Sequence, residues 1–260
     1  MNTLLSAITV VVSTLALGSL VLLAQLFGVK PKPGGLYYKA PRWWARGLVK
    51  AAGIEIVVHN RERISESSSQ VYVANHVSWY DTPVLLEIIP NFGFVAKREL
   101  ERIPLFGSAA KAVGVIYIDR IHHQAAFDAY EDAARRMHAG ESVAVYAEGT
   151  RGESYALRPF KKGPFVLAIQ AGVPVVPIVI YGTIAVNPRG SLQAHPGVVN
   201  VHFLEPIPTT GLTYDDRDEL ANRTRLRMAD TLRDLYVVNP SLNNVSNAPT
   251  SKLGTAHVPT

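Results

Sequence analysis

Val71-Tyr72-Val73-Ala74-Asn75-His76-Val77-Ser78-Trp79-Tyr80-Asp81-Thr82-Pro83 is the segment whose reading settles the fold. Its first four residues are apolar and uncharged, the pattern of a buried strand. Thr82-Pro83 reads as a helix start, with Thr at the cap and Pro at the first helical position, where its missing N–H is no loss. A strand running through a short turn into a helix is the opening of an α/β unit. His76 and Asp81 then lie on the turn, beyond the carboxyl end of a strand, where open α/β sheets bind ligands.

The same alternation continues downstream. Short β-branched runs occur at Ile54–Val58, Val71–Ala74, Phe94–Ala96, Val115–Ile118, Val143–Ala147, Val175–Ile180 and Val198–Leu204. Helical patterns fall between several of them, at Pro83–Ile89, Ala125–Ala139 and Pro164–Ala171, and Asp215–Tyr236 reads as a charged closing helix. Such alternation predicts an α/β domain over 54–236, with a mixed, largely parallel sheet flanked by helices. From 237 to 260 the chain is rich in Ser, Asn, Thr and Pro and is expected to be a disordered tail.

Residues 1–53 form a different unit. No charged residue occurs from Leu4 to Phe27, enough apolar chain to cross a bilayer as a helix. The residues before it offer no basic side chain and the run is too long for a signal peptide, so an uncleaved membrane anchor is expected. Pro31-Lys32-Pro33-Gly34-Gly35 ends that helix, and Leu36–Ala52 reads as a basic amphipathic helix closed by Gly53. Trp43 and Trp44 stand among its Lys and Arg, a composition suited to the membrane–water interface. The basic residues that follow the apolar run place the rest of the chain on the cytoplasmic side of the inner membrane.

The chain has 26 Lys and Arg against 21 Asp and Glu and no cysteine. Disulfides, cysteine-ligated zinc, iron–sulfur clusters and a cysteine nucleophile are therefore excluded. The positive charge clusters beside the apolar anchor, which argues against nucleic acid as a partner and for a membrane surface. There is no G-x-S-x-G elbow, Walker A loop, G-x-G-x-x-G or H-E-x-x-H.

A histidine with an aspartate five residues on is a weak signal by itself, since His123 and Asp128 repeat it. That second pair falls in a helical pattern, where five residues turn through about 500° and leave the side chains some 140° apart. His76 and Asp81 sit on a turn, where the chain can fold one back onto the other. A second constellation, Tyr146-Ala147-Glu148-Gly149-Thr150-Arg151-Gly152, follows another strand; its glycines admit close backbone approach and Arg151 offers a planar fork for phosphate oxygens. Phe160-Lys161-Lys162-Gly163 adds charge nearby, and Lys97 and Arg120 each close a predicted strand, where a cation can reach an anion in the crevice.

Together these segments resemble the glycerolipid acyltransferase family typified by 1-acylglycerol-3-phosphate acyltransferase. Asn75-His76-Val77-Ser78-Trp79-Tyr80-Asp81 looks like its N-H-x-x-x-x-D block; Lys97-Arg98-Glu99-Leu100 through Gly114 and Ile118-Asp119-Arg120 its second; Glu148-Gly149-Thr150-Arg151 its third; Val173-Pro174-Val175-Val176-Pro177 its fourth. Ala147 stands where the family has proline, which is expected to loosen that turn. The resemblance implies acyl transfer from acyl-CoA or acyl-carrier protein to the hydroxyl of a lysophospholipid such as lysophosphatidic acid, with no cofactor beyond that co-substrate and no metal. It makes His76 and Asp81 catalytic. It assigns Lys97, Arg120, Glu148, Gly149, Thr150 and Arg151 to the acceptor. Backbone N–H groups on the His76 turn are candidates for the oxyanion site. Another acceptor (glycerol-3-phosphate, another lysophospholipid, a lyso-ornithine lipid) and a non-catalytic lipid-binding role stay open.

Overall fold

The computed structural model describes residues 2–32, 34–90, 92–118, 123–191 and 193–238, with the backbone alone for 2–3 and 123–128. Seven strands, β1 (Ile54–His59), β2 (Val71–Ala74), β3 (Phe92–Lys97), β4 (Ile116–Ile118), β5 (Ser142–Tyr146), β6 (Val175–Tyr181) and β7 (Gly197–Phe203), form one sheet in the order β1-β7-β6-β2-β5-β3-β4. Every neighbouring pair is parallel except β6–β7. The carboxyl ends of β2 to β6 therefore share one edge of the sheet. The chain leaves β2 toward β3 on one side and later returns to lay β6 on the other, so the crevice opens at β2.

The helices are α1 (Asn2–Leu26), α2 (Leu36–Ala52), α3 (Asp81–Ile88), α4 (Phe106–Ala112), α5 (His123–His138), α6 (Gly163–Ala171), α7 (Thr183–Val186) and α8 (Arg217–Tyr236). The strand period of two sorts the core into two layers. Val71, Val73, Val143 and Val145 pack with Met137 of α5, Phe165 of α6 and Met228 of α8. Tyr72, Ala74, Ala144 and Ile178 face the other way, onto Leu48 and Val49 of α2 and Val84 and Leu85 of α3. Each fully buried aliphatic or aromatic side chain contributes roughly 1.5–3 kcal/mol, so β2, buried throughout, is firmly held.

The expected strands all form, and α2 ends at Gly53, whose φ of +71° lets its N–H reach the Lys50 and Val49 carbonyls. One boundary differs. α3 starts at Asp81 after an N-cap at Tyr80, so Thr82 is inside the helix rather than its cap. The Asp81 carboxylate turns back to the preceding N–H groups instead, and Pro83 still lies in the first turn, where no N–H is needed. The short helices α4 and α7 carry too few residues to leave a periodic signal.

α1 lies against the domain. The Trp44 indole donates to Thr14 Oγ1 at 2.9 Å, a Cβ on Gly18 would stand 2.8 Å from Leu105 Cδ2, and Val21 is buried with Tyr37 and Ala40. The other face of α1 exposes Leu4, Ile8, Val11, Val12, Leu15 and Leu23. Leu4–Leu26 is long and apolar enough to cross a membrane.

Candidate active site

Asn75, fully buried, closes β2 by pinning it to β6: its Nδ2 donates to the Ile180 carbonyl at 2.9 Å and its Oδ1 accepts the Ile180 N–H at 2.7 Å. The next residue starts the turn. Asp81 Oδ2 accepts the N–H groups of Val77 and Ser78 at 2.7 and 2.8 Å, which folds the turn around the carboxylate. The same oxygen lies 2.8 Å from His76 Nδ1. An oxygen already accepting two N–H groups can only accept a third, so Nδ1 carries the proton and Nε2 is left with a lone pair. Asp81 is fully buried, whereas the His76 side chain keeps 17% of its surface open to solvent.

The imidazole also stacks on the Tyr146 ring, with centroids 3.9 Å apart and planes 11° off parallel. Burial, reinforced by the Asp81 charge, raises the Tyr146 phenol well above its ordinary range, so this platform stays neutral. Tyr146 ends β5, one strand over, and its partner across the ladder is Ala74. Nothing in the sequence marked it as part of the site except its position immediately before the Glu148 segment.

Glu148 binds the two constellations together. Its Oε1 accepts the His76 N–H at 3.0 Å and its Oε2 the Arg158 N–H at 3.1 Å. Burial raises its carboxyl above the ordinary value, against the opposing pull of those N–H groups. Glu148 thus shapes the site from behind the turn. Gly152 N–H donates to the His76 carbonyl at 2.7 Å. Ala147, in place of the family's proline, leaves no loose turn: its carbonyl accepts the Lys161 N–H at 2.7 Å, and Gly149, at φ +78°, donates to the Tyr146 carbonyl at 2.9 Å.

Most of the His76 turn is not free to bind an oxyanion, and the Trp79 N–H is the one on that turn that makes no hydrogen bond among the described residues. The N–H groups of His76, Val77 and Ser78 are all committed to Glu148 and Asp81. Across the crevice, the N–H groups of Thr150 and Arg151 make no hydrogen bond among the described residues.

Arg151 is half-buried at the mouth of this loop. Its carbonyl accepts from Arg189 Nη1 at 3.2 Å, and Arg189 pairs with Glu153 at 3.1 Å. The Arg151 guanidinium itself has no protein partner among the described residues. Lys97 is exposed at the end of β3. It stands two strand positions from β2, roughly 10 Å along the edge. Lys162 is paired with Asp218 of α8 at 2.8 Å. Arg120 lies outside the described residues. His123 and Asp128 both fall in α5, as the Ala-rich stretch around them predicts, and their side chains are not described. No group of three or more metal-ligating side chains occurs among the described residues.

An imidazole–carboxylate dyad at the switch point of a mixed sheet, with the Arg151 loop beside it, is an arrangement suited to general-base chemistry. Comparison with known proteins gives the family. The profile of the Acyltransferase family matches residues 55–181. The chain is 35% identical over 191 residues to human 1-acyl-sn-glycerol-3-phosphate acyltransferase beta, covering 73% of this chain and 69% of that one. It is 35% identical over 185 residues to the human alpha enzyme, of whose length it spans 65%. The crystal structure of the 1-acyl-sn-glycerophosphate (LPA) acyltransferase PlsC from Thermotoga maritima superposes with a TM-score of 0.73 over 91% of this chain and 98% of that one, at 24% identity. The chain belongs to the acyltransferase family that includes the 1-acyl-sn-glycerol-3-phosphate acyltransferases.

Proposed function

We propose that this protein transfers a fatty acyl group from acyl-CoA or acyl-carrier protein to the free hydroxyl of 1-acyl-sn-glycerol-3-phosphate, giving phosphatidic acid. The observation that carries the reading is the 2.8 Å contact between His76 Nδ1 and buried Asp81, which leaves Nε2 as the available base. A lipid hydroxyl is a poor nucleophile at neutral pH. Nε2 takes its proton as the oxygen attacks the thioester carbonyl. Asp81 holds the Nδ1 tautomer and stabilises the imidazolium that forms. The tetrahedral intermediate then expels the thiolate, and His76 returns the proton to the departing sulfur. The substrate hydroxyl does the work of an enzyme nucleophile, so no acyl-enzyme forms. In this reading the N–H groups of Thr150 and Arg151, which make no hydrogen bond among the described residues, receive the oxyanion, and the Arg151 guanidinium holds the acceptor phosphate by a forked pair of hydrogen bonds. Lys97 adds positive charge along the same edge.

The reading also accounts for the N-terminal unit. α1 contacts the domain from Gly47, whose added Cβ would lie 3.7 Å from Thr9 Cγ2, to the buried Val21. Its outward apolar face then sits in the membrane while the crevice stays at headgroup level. Beside it, Lys39, Arg42, Trp43 and Arg46 of α2 line an open groove of ≈ 400 Å³ suited to the anionic interface. The thioester donor reaches the crevice from the cytoplasm, at the inner membrane. No nucleic acid takes part.

The test is thiol release by purified membranes supplied with acyl-CoA and 1-acyl-sn-glycerol-3-phosphate, beside acceptors that lack a phosphomonoester and beside acyl-carrier protein as donor. Release that needs the phosphomonoester is expected. Equal rates with a neutral acceptor would overturn the assignment of substrate, and no release with any acceptor would overturn the activity.

A further inference from the structure

Asp81 holds the His76 ring by one atom, and a second constraint on that ring comes from a different strand. The 2.8 Å contact at Nδ1 lies on the edge of the imidazole and leaves its plane free to tilt. The face of the ring lies on Tyr146, with centroids 3.9 Å apart and planes 11° from parallel. Neutral aromatic pairs generally settle with centroids roughly 4.5–7 Å apart, offset or edge to face. This pair is closer and nearly parallel, a geometry in which a π face can meet a cation.

Tyr146 is itself held in place. Its backbone pairs with Ala74 across the β2–β5 ladder, which sets its ring beside the turn that starts two residues later. Its hydroxyl lies 3.2 Å from Thr82 Oγ1, next to Asp81 in α3. Phe94 of β3 tilts against it, with ring centroids 5.3 Å apart. Three elements therefore fix the platform. Tyr146 is 8% exposed and the His76 side chain 17%, so the stacked faces are largely shut off from water. A π face attracts a cation more strongly than a neutral ring, and the more so where water is excluded.

We infer that Tyr146 is a positioning residue for the general base: its ring holds the imidazole plane, and its π face stabilises the imidazolium that forms when His76 takes the hydroxyl proton. The imidazole is neutral in the resting enzyme and a cation while it carries that proton. The stack is thus stronger in the transition state than before it, and an interaction with that difference raises turnover. Asp81 supplies charge at the edge of the ring and Tyr146 supplies electron density at its face. Tyr146 acts through His76, so its loss lowers kcat without weakening acceptor binding. This rests on the acyl-transfer reading of the same site.

The experiment varies the ring at position 146 in the membrane-bound full chain and follows thiol release from acyl-CoA with 1-acyl-sn-glycerol-3-phosphate as acceptor. Tyr146→Phe keeps the π face and loses only the Thr82 contact, so kcat should fall by no more than about 3-fold. Singly, doubly and triply fluorinated phenylalanines, inserted there by stop-codon suppression, keep nearly the same shape while each fluorine drains charge from the face. Across that series kcat should fall stepwise, to about 10-fold below Tyr146→Phe, with KM for the acceptor unchanged. Tyr146→Leu has no π face and should lower kcat about 30-fold, the size of a desolvated cation–π contact. Losing a buried aromatic also costs stability, so melting temperatures are measured throughout, and the fluorinated series decides if Tyr146→Leu melts early. In a His76→Ala background the same changes should leave the residual rate alone. Equal kcat across a folded fluorinated series, a rise in KM in place of the fall in kcat, or a full loss in the His76→Ala background overturns the inference. Each of those results leaves the general-base reading standing while His76→Ala abolishes release, whereas an active His76→Ala protein overturns both.

Discussion

Two imidazoles in this molecule have nearly the same surroundings and opposite prospects. His76 stacks on Tyr146 at 3.9 Å and meets the Asp81 carboxylate. His202, on β7, stacks on His59 at 4.0 Å with planes 5° apart, and its Nε2 meets the Tyr236 hydroxyl. Both are largely buried, one on the turn beyond β2 and one on β7, and both lie on an aromatic face and have a polar partner. The difference is the sign of that partner. Burial first, and then the His59 ring, hold His202 at about 4, below its ordinary 6.5. That makes it a neutral filler, unable to accept a proton at working pH. A ring that must gain a proton in the transition state needs a buried negative charge to receive it, and only His76 has one.

The largest test of that contrast removes the base. His76→Ala should lower the transfer rate about 1,000-fold or more while the protein still folds and binds membranes, since general-base loss of that order is expected when nothing replaces the imidazole. An active His76→Ala protein would end the mechanism. Asp81→Asn makes the His76 environment resemble that of His202, with a hydrogen-bonding but uncharged partner. Turnover should fall about 100-fold or more, with little change in KM for the acceptor. Arg151→Ala leaves the dyad whole and tests the other end of the substrate. KM for a phosphate-bearing acceptor should rise about 10-fold, the loss of one charge-assisted contact, and KM for a neutral acceptor should not move. An unchanged KM would place the anion elsewhere.

The smallest effect sharpens the contrast from the His202 side. The unfolded chain takes up a proton there near pH 6.5 and the folded chain only near 4. Between those values the unfolded state binds more protons, so the stability contributed is complete above pH 6.5 and is lost as pH falls toward 4. Thermal unfolding followed across that window should show a fall in Tm that flattens in His202→Gln, with acyl transfer at neutral pH unaffected.

Much of this was legible in the residues. The β-branched runs mark the strands, most strongly β2, β5 and β6, which are buried on both faces, where composition and position are tightly coupled. The His76–Asp81 spacing reads correctly because a turn lets five residues close on themselves. What could not be read are the contacts made by hydroxyls and backbone groups. Asn187, whose carbonyl accepts the Ser78 hydroxyl, lies 109 residues beyond it in the chain, and neither belongs to a repeating pattern. The commitment of the His76, Val77 and Ser78 N–H groups to carboxylates, which removes them as oxyanion donors, is equally silent in the residue order.

The amino-acid sequence by itself determined the strands, the apolar first helix, the basic second helix and the pairing of one histidine with one aspartate. These are local matters, decided by propensity, periodicity and the reach of a short turn. The tertiary structure alone decided that Tyr146 lies under the imidazole, that Glu148 holds the His76 turn from behind and that the end of α7 is tied to that turn through Ser78 and Asn187. Those contacts depend on which strands become neighbours, and strand order is set by the packing of the whole sheet between its helices, which no single segment encodes.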